Sequence, residues 1–596
     1  MEARLARREL LLLLALALAL RLPFLNQAVQ GDDDIYLTVA AHALVDPLHP
    51  TSTAYVFRGV QVDLRGQPHP PLDGWVLAGL IAIFGDVKEV PFHAFYIVFS
   101  LIAVVSMWWL ARRFSPKPLW GALLFLAVPA FVVNGNSFET DLPFLAFWMA
   151  AMALFVNRQV WWSVLPMVLS AMTSYQTVFL IPILAVYVWL FHRRDRVRWG
   201  VILTPAIVIG AWQLFERLST GELPAQVLGG YLVEYQGLAF KLANTAMLFI
   251  HSWWIVFPVL VPGAILVAWR GMRGAGRSPD VLFLVAWVGI FFVCGAIVFP
   301  AGAARYLLPI AAPVVLLASH LRPRWLAVGF AMQLALSLGL AIVNYQHWGG
   351  VRQFAARVHA AAPDARVWVN GEHGLRFYCE RGGALPLTRT QTFRPGDILV
   401  TSALSRSFEA MAPTVPLVGA VIRPAIPLRL IGLESRSGYS TVQKGFWPFG
   451  ISTGVIDRLT AVKVVERRAT LSFLPMNAPE ANEQIVSGIY DLEDHRFRWM
   501  ARTAVVMLRN PGTAMPLHVQ FNIPENAPAR RVTLRVDGRE LAAVTYPAPG
   551  QYTLTTAPLQ PAGASVALEI EIDRAFSVAG DRRELGIVLT AVGFRP

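Results

Sequence analysis

The sequence predicts a polytopic α-helical membrane protein whose last third lies in water and carries a mixed α/β segment followed by a β-sandwich. The first observation is composition: 55% of the 596 residues are hydrophobic and only 15% are charged, against about 25% in a typical soluble protein. The second is a mean hydropathy of +0.50. The third is a change to an ordinary soluble pattern after Trp348. Together they exclude a soluble enzyme, a disordered chain and a nucleic-acid-binding domain.

Apolar segments define the elements of the predicted membrane domain. The first, Leu10–Leu20, follows Arg4, Arg7 and Arg8. Because no small-x-small cleavage site follows it, we interpret it as an uncleaved span with a cytoplasmic N-terminus. Several of the later segments are shorter than the roughly 20 residues that a perpendicular helix needs. They lie at 91–111, 118–135, 141–157, 161–174, 177–191, 199–216, 246–269, 281–299, 304–320 and 325–345.

The segment 72–84 is apolar but short for a span, and the distribution of charge decides its interpretation. If it does not cross, the basic loops at 112–117, 193–198, 270–277 and 322–324 all face the cytoplasm, as the positive-inside rule requires. The net charge of +13 fits the same rule. We therefore predict an interfacial or re-entrant helix at 72–84, about eleven crossings, and an extracytoplasmic position for everything after residue 346.

The extracytoplasmic third divides in two by its periodicity. Residues 349–465 alternate helical and strand signals, for example ARVWVN and GDILVTS, which predicts a small α/β domain. Residues 466–596 contain short alternating strands separated by Gly, Pro, Asn and Asp, a pattern typical of a β-sandwich. A hairpin turn is predicted at Val536-Asp537-Gly538-Arg539. The predicted domains are therefore 1–348, 349–465 and 466–596.

Two groups of acidic residues lie on the predicted outer side. Asp32, Asp33 and Asp34 follow the first span, and helical spacing resumes directly after them. They therefore lie at a helix N-terminus, whose dipole offsets part of their mutual repulsion. Glu139 and Asp141 begin another span on the same side, where a carboxylate costs least. Each group is open to two interpretations, helix capping at a solvated flank or catalysis.

Polar residues at other outer edges extend this pattern. His69, in Gln67-Pro68-His69-Pro70-Pro71-Leu72, precedes a helix, and the prolines fix an extended entry into it. Arg305-Tyr306 begins a later span, where the Arg is suited to hold a phosphate bidentately or to act as an interfacial anchor beside a belt Tyr. Acids, a His and cations on one side of a bundle suit a reaction between a membrane-borne phosphate ester and an outer acceptor. A transporter would need charges at mid-membrane and repeated halves.

These motifs occur in the order of a known family. After the first span come Asp32-Asp33-Asp34-Ile35-Tyr36-Leu37, Asp46-Pro47 and His69-Pro70-Pro71-Leu72, and later an acidic residue before LPFLAFW and then RYLLP. This order resembles the polytopic C-type (GT-C) glycosyltransferases of the protein O-mannosyltransferase and aminoarabinose transferase superfamily, bacterial branch, over residues 1–348. His69 stands where the family pattern more often has Asn or Lys.

The resemblance implies a GT-C glycosyltransferase of the bacterial inner membrane that moves a sugar from a polyprenyl-phosphate donor to a protein, lipid or polysaccharide acceptor, with inversion. It implies Asp32 as the general base, with Asp33 as the alternative, and Asp141 as a group that positions the acceptor or a cation. Contacts to the donor phosphate or substrate are expected from Arg305, Tyr306, His69, Tyr36, Arg58 and Glu139. No cofactor and no metal site is expected, although a divalent cation stays an open alternative, and no nucleic acid is expected as a partner.

A non-enzymatic hypothesis competes with this one. The helical bundle would only anchor the β-sandwich, which would bind carbohydrate, and the protein would serve glycan binding or polysaccharide export. In that case the acidic cluster is dispensable, whereas a transferase depends on it.

Overall fold

The computed structural model describes residues 2–235, 237–273, 278–299, 302–405, 407–439, 444–525, 527–528, 530–578, 581 and 583–595. The chain forms two compact units. The first, here called the membrane unit, comprises Met1–Tyr55, Asp63–Arg352 and Val421–Asp457. The second, here called the β unit, comprises Val56–Val62, Gln353–Ala420 and Arg458–Pro596.

Helices build the membrane unit, and most predicted apolar segments coincide with one of them, whereas others, such as 246–269, are divided between two helices. Their bounds are α1 (Glu2–Arg21), α2 (Asp33–Ala43), α3 (Leu72–Phe84), α4 (Glu89–Phe114), α5 (Pro118–Leu126), α6 (Pro129–Asn134), α7 (Asp141–Val156), α8 (Val164–Ala171), α9 (Leu180–Phe191), α10 (Arg196–Val201), α11 (Thr204–Thr220), α12 (Pro224–Leu232), α13 (Leu238–Ser252), α14 (Val261–Met272), α15 (Pro279–Val298), α16 (Leu308–Ala318) and α17 (Pro323–Ala361). A short hairpin of β1 (Ala54–Phe57) and β2 (Val60–Asp63) follows α2.

Four helical stretches among the described residues are long and apolar enough to cross a membrane: Glu89–Phe114, Arg196–Thr220, Pro279–Val298 and Pro323–Ala361. Other predicted spans are shorter or broken. The segment 118–135 forms α5 and α6, because Pro129 lacks an N–H and disfavours a helical conformation at Val128. The number of crossings therefore stays a prediction. Helix α3 has 13 residues, or about 20 Å at 1.5 Å per residue, so its predicted interfacial position stays a prediction as well.

A buried arginine ties the end of α1 to α4 and α6. Arg21 is 3% exposed and donates to Ser100 Oγ at 2.9 Å, to Val132 O at 2.8 Å and to Phe131 O at 2.7 Å. A Cβ on Gly135 would lie within 3.0 Å of this guanidinium. Glycine at position 135 thus permits the Arg21 guanidinium to lie close to the backbone at the end of α6.

The segment Val421–Asp457 belongs to the membrane unit, whereas the sequence pattern assigns it to an α/β domain over 349–465. Leu430 and Tyr439 pack in one hydrophobic cluster with Val132, Val133 and Leu340. The sequence pattern does not reveal this because the apolar residues of the segment are spread among Gly, Ser and Pro without a helical or strand repeat. Its attachment depends on single side chains rather than on a periodic face.

The β unit begins with a small mixed sheet. Its strands, β3 (Val367–Asn370), β4 (Leu385–Pro386), β5 (Ile398–Ser402), β6 (Thr414–Ile422) and β7 (Asp457–Val464), have the order β4-β3-β5-β7-β6. Strand β3 is parallel to β4 and β5, and β7 is antiparallel to β5. Helix α18 (His373–Arg381) lies between β3 and β4 in the chain. The strand signals ARVWVN and GDILVTS correspond to β3 and β5.

The remaining strands form one hydrogen-bonded sheet of nine strands, where the sequence predicts the two stacked sheets of a sandwich. Strand β10 pairs with β16 at Arg498 and Trp499 and with β15 from Thr503 to Arg509, which joins the strands of the sheet around a single hydrophobic core. The hairpin turn at Asp537 and Gly538 is confirmed, with φ of 47° and 80°. The elements are β8 (Phe473–Pro475), α19 (Ala481–Gln484), β9 (Ile485–Glu493), β10 (Phe497–Arg509), β11 (Leu517–Ile523), β12 (Arg530–Val536), β13 (Arg539–Tyr546), β14 (Gly550–Thr555), β15 (Ser565–Ile572) and β16 (Val588–Phe594).

Candidate active site

Four charged side chains from three distant parts of the sequence meet in the membrane unit, and we call them the acid–arginine cluster. Arg305, in the 3₁₀ helix Ala304–Leu307 before α16, lies at its centre. Its Nη2 is 3.0 Å from Asp32 Oδ2, its Nη1 pairs with Glu139 Oε2, and its Nε is 3.5 Å from Asp141 Oδ2. Asp32 precedes α2, and Asp141 begins α7. Two helix N-termini thus present carboxylates to one guanidinium.

The three consecutive aspartates have different environments. The Asp32 side chain is 34% exposed, so an incoming molecule can reach it. Asp33 is fully buried and accepts hydrogen bonds from Gln30 N at 2.9 Å, Phe138 N at 2.8 Å and Ser137 Oγ at 2.7 Å. The donors of Ser137 and Phe138 hold the loop before α7 against the start of α2.

Burial raises the pKa of Asp33 to about 7, against the effect of its three hydrogen bonds, which favour the carboxylate. Asp34 is also buried and accepts a hydrogen bond from Tyr55 Oη at 2.5 Å. Of the three aspartates, Asp32 is therefore the one placed to meet a substrate.

Glycine at position 31 allows Glu139 to reach the backbone of Asp32. The Asp32 N–H donates to Glu139 Oε1 at 3.0 Å. Gly31 has a φ of +46°, and a Cβ there would lie within 3.0 Å of the same oxygen. Only glycine combines this left-handed conformation with the space that the Glu139 carboxylate occupies. Glu139 thereby contacts both Arg305 and the backbone of Asp32.

The acid–arginine cluster contains more carboxylates than cations, which matters for binding an anion. Glu139 is 4% exposed, and burial raises its pKa well above the usual range, although Arg305 opposes this. The surrounding carboxylates raise the pKa of Arg305 further, so the guanidinium stays charged. Glu139 therefore takes up a proton more readily than an ordinary glutamate side chain does.

A chain of hydroxyl and imidazole groups lies next to the cluster. Thr140, between Glu139 and Asp141, has its Oγ1 3.0 Å from His69 Nδ1 and 3.4 Å from Tyr36 Oη. The rings of Tyr36 and His69 are edge to face with centroids 5.7 Å apart. Burial lowers the pKa of His69 to about 4, so the imidazole is neutral near pH 7. It serves as a hydrogen-bonding group here and not as a cation.

The structure thus brings together most of the residues that the sequence predicts. Asp32, Glu139, Asp141 and Arg305 form the cluster, Tyr36 and His69 adjoin it through Thr140, and Tyr306 stacks beside Arg305 with its ring centroid 5.6 Å from the guanidinium carbon. Arg58 does not join them. It belongs to the β unit, where its N–H donates to Glu372 Oε1 at 2.7 Å.

Sequence reasoning did not assign roles to several residues that organise this site. Gly31 directly precedes the three aspartates, and Thr140 lies between Glu139 and Asp141. A glycine directly before an acidic helix start is a signal for a positive φ. Tyr439 is about 130 residues further along the chain than Arg305, and no local pattern marks it. Among the described residues, no group of three or more His, Cys, Asp or Glu side chains is arranged to hold a metal ion.

An apolar hollow adjoins the cluster on the side of α6 and α16. Its lining includes Val128, Ala130, Leu307, Leu308 and Phe449. Leu307 and Leu308 directly follow the segment that carries Arg305 and Tyr306. A charged cluster and an apolar surface are therefore neighbours, as an amphipathic ligand requires.

Comparison with known proteins finds a family model that matches part of the chain. Residues 68–214 match the model of the family described as dolichyl-phosphate-mannose-protein mannosyltransferase. The predicted family resemblance is confirmed. The matched region includes His69, Glu139 and Asp141 but not Asp32 or Arg305. No curated protein sequence matches the chain.

Solved structures of two proteins are similar to this chain. ArnT from Cupriavidus metallidurans in the apo state has a TM-score of 0.44 at 13% identity, covering 66% of this chain and 92% of that one. The same protein bound to undecaprenyl phosphate has a TM-score of 0.43 at 14% identity, covering 76% and 97%. Arabinofuranosyltransferase AftD from Mycobacteria has a TM-score of 0.39 at 13% identity, covering 98% of this chain and 58% of that one.

Proposed function

We propose that this protein is an integral membrane glycosyltransferase that moves a sugar from a polyprenyl-phosphate donor to an extracytoplasmic acceptor, with Asp32 as the general base. The observation that carries the proposal is the pairing of an accessible carboxylate with a partly buried guanidinium, 3.0 Å apart, at the start of a helix. The name of the matched family, which specifies a lipid-phosphate mannose donor, supports the donor class. The acceptor is a protein, a lipid or a polysaccharide.

The reaction follows from these two groups. Asp32 takes the proton from the acceptor hydroxyl or amine while the acceptor atom attacks the anomeric carbon of the sugar. The bond between that carbon and the phosphate oxygen breaks, and the lipid phosphate leaves with the electron pair. Arg305 stabilises the charge that develops on the phosphate. A single in-line displacement inverts the anomeric centre and requires no cofactor.

The proposed roles of the other residues follow from their environments. Asp33 supports the loop before α7 from its buried position, so we assign the base to Asp32. Asp141 and Thr140 lie beside Arg305 and His69, where they would orient the acceptor or the sugar. His69, Tyr36 and Tyr306 would contact the substrate through neutral groups. Arg58, in the β unit, has no assigned part in the displacement.

An excess of carboxylates around Arg305 repels a phosphate unless a proton is taken up. Glu139 is the group that would take it, because burial already raises its pKa. Once protonated, Glu139 no longer competes for Arg305, and one guanidinium N–H becomes available to the phosphate. The apolar hollow lined by Leu307 and Leu308 would receive the first part of the lipid chain.

The test is transfer by the purified protein in liposomes that contain radiolabelled polyprenyl-phosphate sugars, with and without EDTA. We expect wild type to release or transfer label, and Asp32→Asn to abolish this while inserting and folding normally. Glu222→Gln is the matched control, because Glu222 is an exposed carboxylate in the loop after α11. Full transfer by Asp32→Asn would remove Asp32 from the mechanism. Absence of both donor binding and turnover in wild type would favour an anchored glycan-binding protein.

The proposed orientation has the N-terminus in the cytoplasm and both C-terminal parts outside the bacterial inner membrane. Single cysteines introduced at exposed positions, such as Arg8 and Glu222, would report it through labelling by a membrane-impermeant reagent in intact spheroplasts. We expect labelling at 222 and protection at 8. The reverse pattern would place the acid–arginine cluster on the cytoplasmic side and contradict the proposal.

A further inference from the structure

Tyr439 links the two chain segments that carry Glu139 and Arg305, although it comes from the C-terminal third of the chain. Its hydroxyl donates to Asn134 Oδ1. Its carbonyl oxygen accepts from the N–H of Ala304 at 2.9 Å, the residue directly before Arg305. One residue thus contacts the end of α6 through its side chain and the start of the arginine-bearing 3₁₀ helix through its backbone.

The contact at Asn134 continues to Glu139 through hydrogen bonds. The N–H of Ser137 donates to Asn134 O at 3.2 Å. The N–H of Glu139 then donates to Ser137 Oγ at 3.1 Å, and the same hydroxyl donates to Asp33. A shift of Asn134 would therefore move the loop that presents Glu139, and with it the partner of Arg305.

Tyr439 is held firmly enough to act in this way. The side chain is 6% exposed and packs with Val132, Val133 and Leu340 in one hydrophobic cluster. Burial, with the charges of Asp141 and Glu139, raises the pKa of Tyr439 well above its usual range. The hydroxyl therefore stays protonated and can donate to Asn134.

The rest of the segment is ordered around a second buried group. Arg429 is fully buried and donates from its guanidinium to the carbonyl oxygens of Pro424, Ile426, Leu428 and Gly454 at 2.7–2.9 Å. Its backbone also exchanges hydrogen bonds with Gly450 at 2.8 and 2.7 Å. These bonds hold the two described stretches on either side of Tyr439, 424–429 and 450–454, together.

We propose that Tyr439 is a positioning residue of the active site, which sets the distance between Arg305 and Glu139 by tying their two loops together. The segment Val421–Asp457 therefore completes the catalytic unit and is not merely a connection between extracytoplasmic strands. This inference rests on the proposed function, in which Arg305 holds the donor phosphate. Tyr439 itself acts on the substrate through Arg305.

The test compares Tyr439→Phe with Asn134→Leu, because each removes one partner of the same hydrogen bond and keeps most of the side-chain volume. We expect each to raise the donor KM and weaken binding of the free polyprenyl phosphate by about fivefold, the value of one net hydrogen bond. The double variant should be no worse than the poorer single variant, since both remove the same interaction.

Tyr345→Phe is the matched control. Tyr345 packs at the edge of the same hydrophobic cluster, and its replacement should leave KM, kcat and lipid-phosphate binding unchanged. A purely structural Tyr439 would lower the melting temperature and the yield but leave the KM of the folded protein at the wild-type value. That result would overturn the inference.

Arg305→Gln separates failure of this inference from failure of the proposed function. If Arg305→Gln weakens polyprenyl-phosphate binding and Tyr439→Phe does not, the proposed function stands and the positioning role is wrong. If Arg305→Gln binds the lipid phosphate as wild type does, the proposed phosphate site is wrong, and the inference fails with it.

Discussion

Replacing Gly31 by alanine should damage transfer far more than it damages the fold. The new Cβ would lie within 3.0 Å of Glu139 Oε1, so the Glu139 carboxylate has to move. The carboxylate would then lose the hydrogen bond from the Asp32 N–H, whose nitrogen is 3.0 Å from Glu139 Oε1. Its position relative to Arg305 would change as well. The base and its guanidinium partner would no longer be held in their present geometry.

The size of the effect has two separable parts. A left-handed alanine costs about 1–2 kcal/mol relative to glycine, and this part lowers stability. A hydrogen bond to a charged acceptor is worth about 1.5–3 kcal/mol, and its loss would appear in kcat/KM as a decrease of about ten- to a hundredfold. Gly221→Ala is the matched control, because Gly221 has a φ of +79° and nothing within 4 Å of its added Cβ.

The assay measures label transfer in liposomes and the thermal unfolding midpoint of each purified variant. Gly31→Ala and Gly221→Ala should lose comparable stability, while only Gly31→Ala should lose transfer. Equal transfer by the two variants, per molecule of folded protein, would refute the argument that Glu139 positions Asp32. Loss of transfer in Gly221→Ala would show that backbone strain alone accounts for the effect.

Three further expectations concern charge. Binding of polyprenyl phosphate should strengthen as the pH falls, because the phosphate binds better when Glu139 is protonated and burial raises the pKa of Glu139. In Glu139→Gln, the pH dependence of binding measured by titration calorimetry should become flatter. Burial lowers the pKa of His69 to about 4, so His69 is neutral from pH 5 upward. His69→Asn should therefore leave the shape of the pH–rate profile between pH 5.5 and 8 as it is in wild type. Arg21→Met should lower stability by about 3 kcal/mol, since it removes the three hydrogen bonds that Arg21 donates, each worth about 1 kcal/mol. A melting midpoint equal to that of the exposed-site control Arg8→Met would contradict this.

Local periodicity explains why so many elements of the fold are predictable. Strand alternation in RRVTLRVDG and GIVLTAVGF corresponds to β12 and β16, and the Asp-Gly pair forms the hairpin turn between β12 and β13. Such signals depend on the two-residue repeat of a strand and on glycine at positive φ, both of which act within a few residues. By contrast, the joining of nine strands into one sheet depends on the residue at which β10 changes its pairing partner from β16 to β15. The periodicity of the sequence contains no information about pairing partners.

The composition and the order of motifs determine the class of this protein and most members of its candidate site. Asp32, His69, Glu139, Asp141 and Arg305 are recognisable because polar residues are conspicuous at the edges of apolar spans. Only the tertiary structure decided that Asp32 meets Arg305 while Asp33 is buried, since this depends on the residue at which α2 begins. Only packing joins Tyr439 to Asn134 and Ala304, because hydrogen bonds between residues more than a hundred positions apart leave no trace in local pattern.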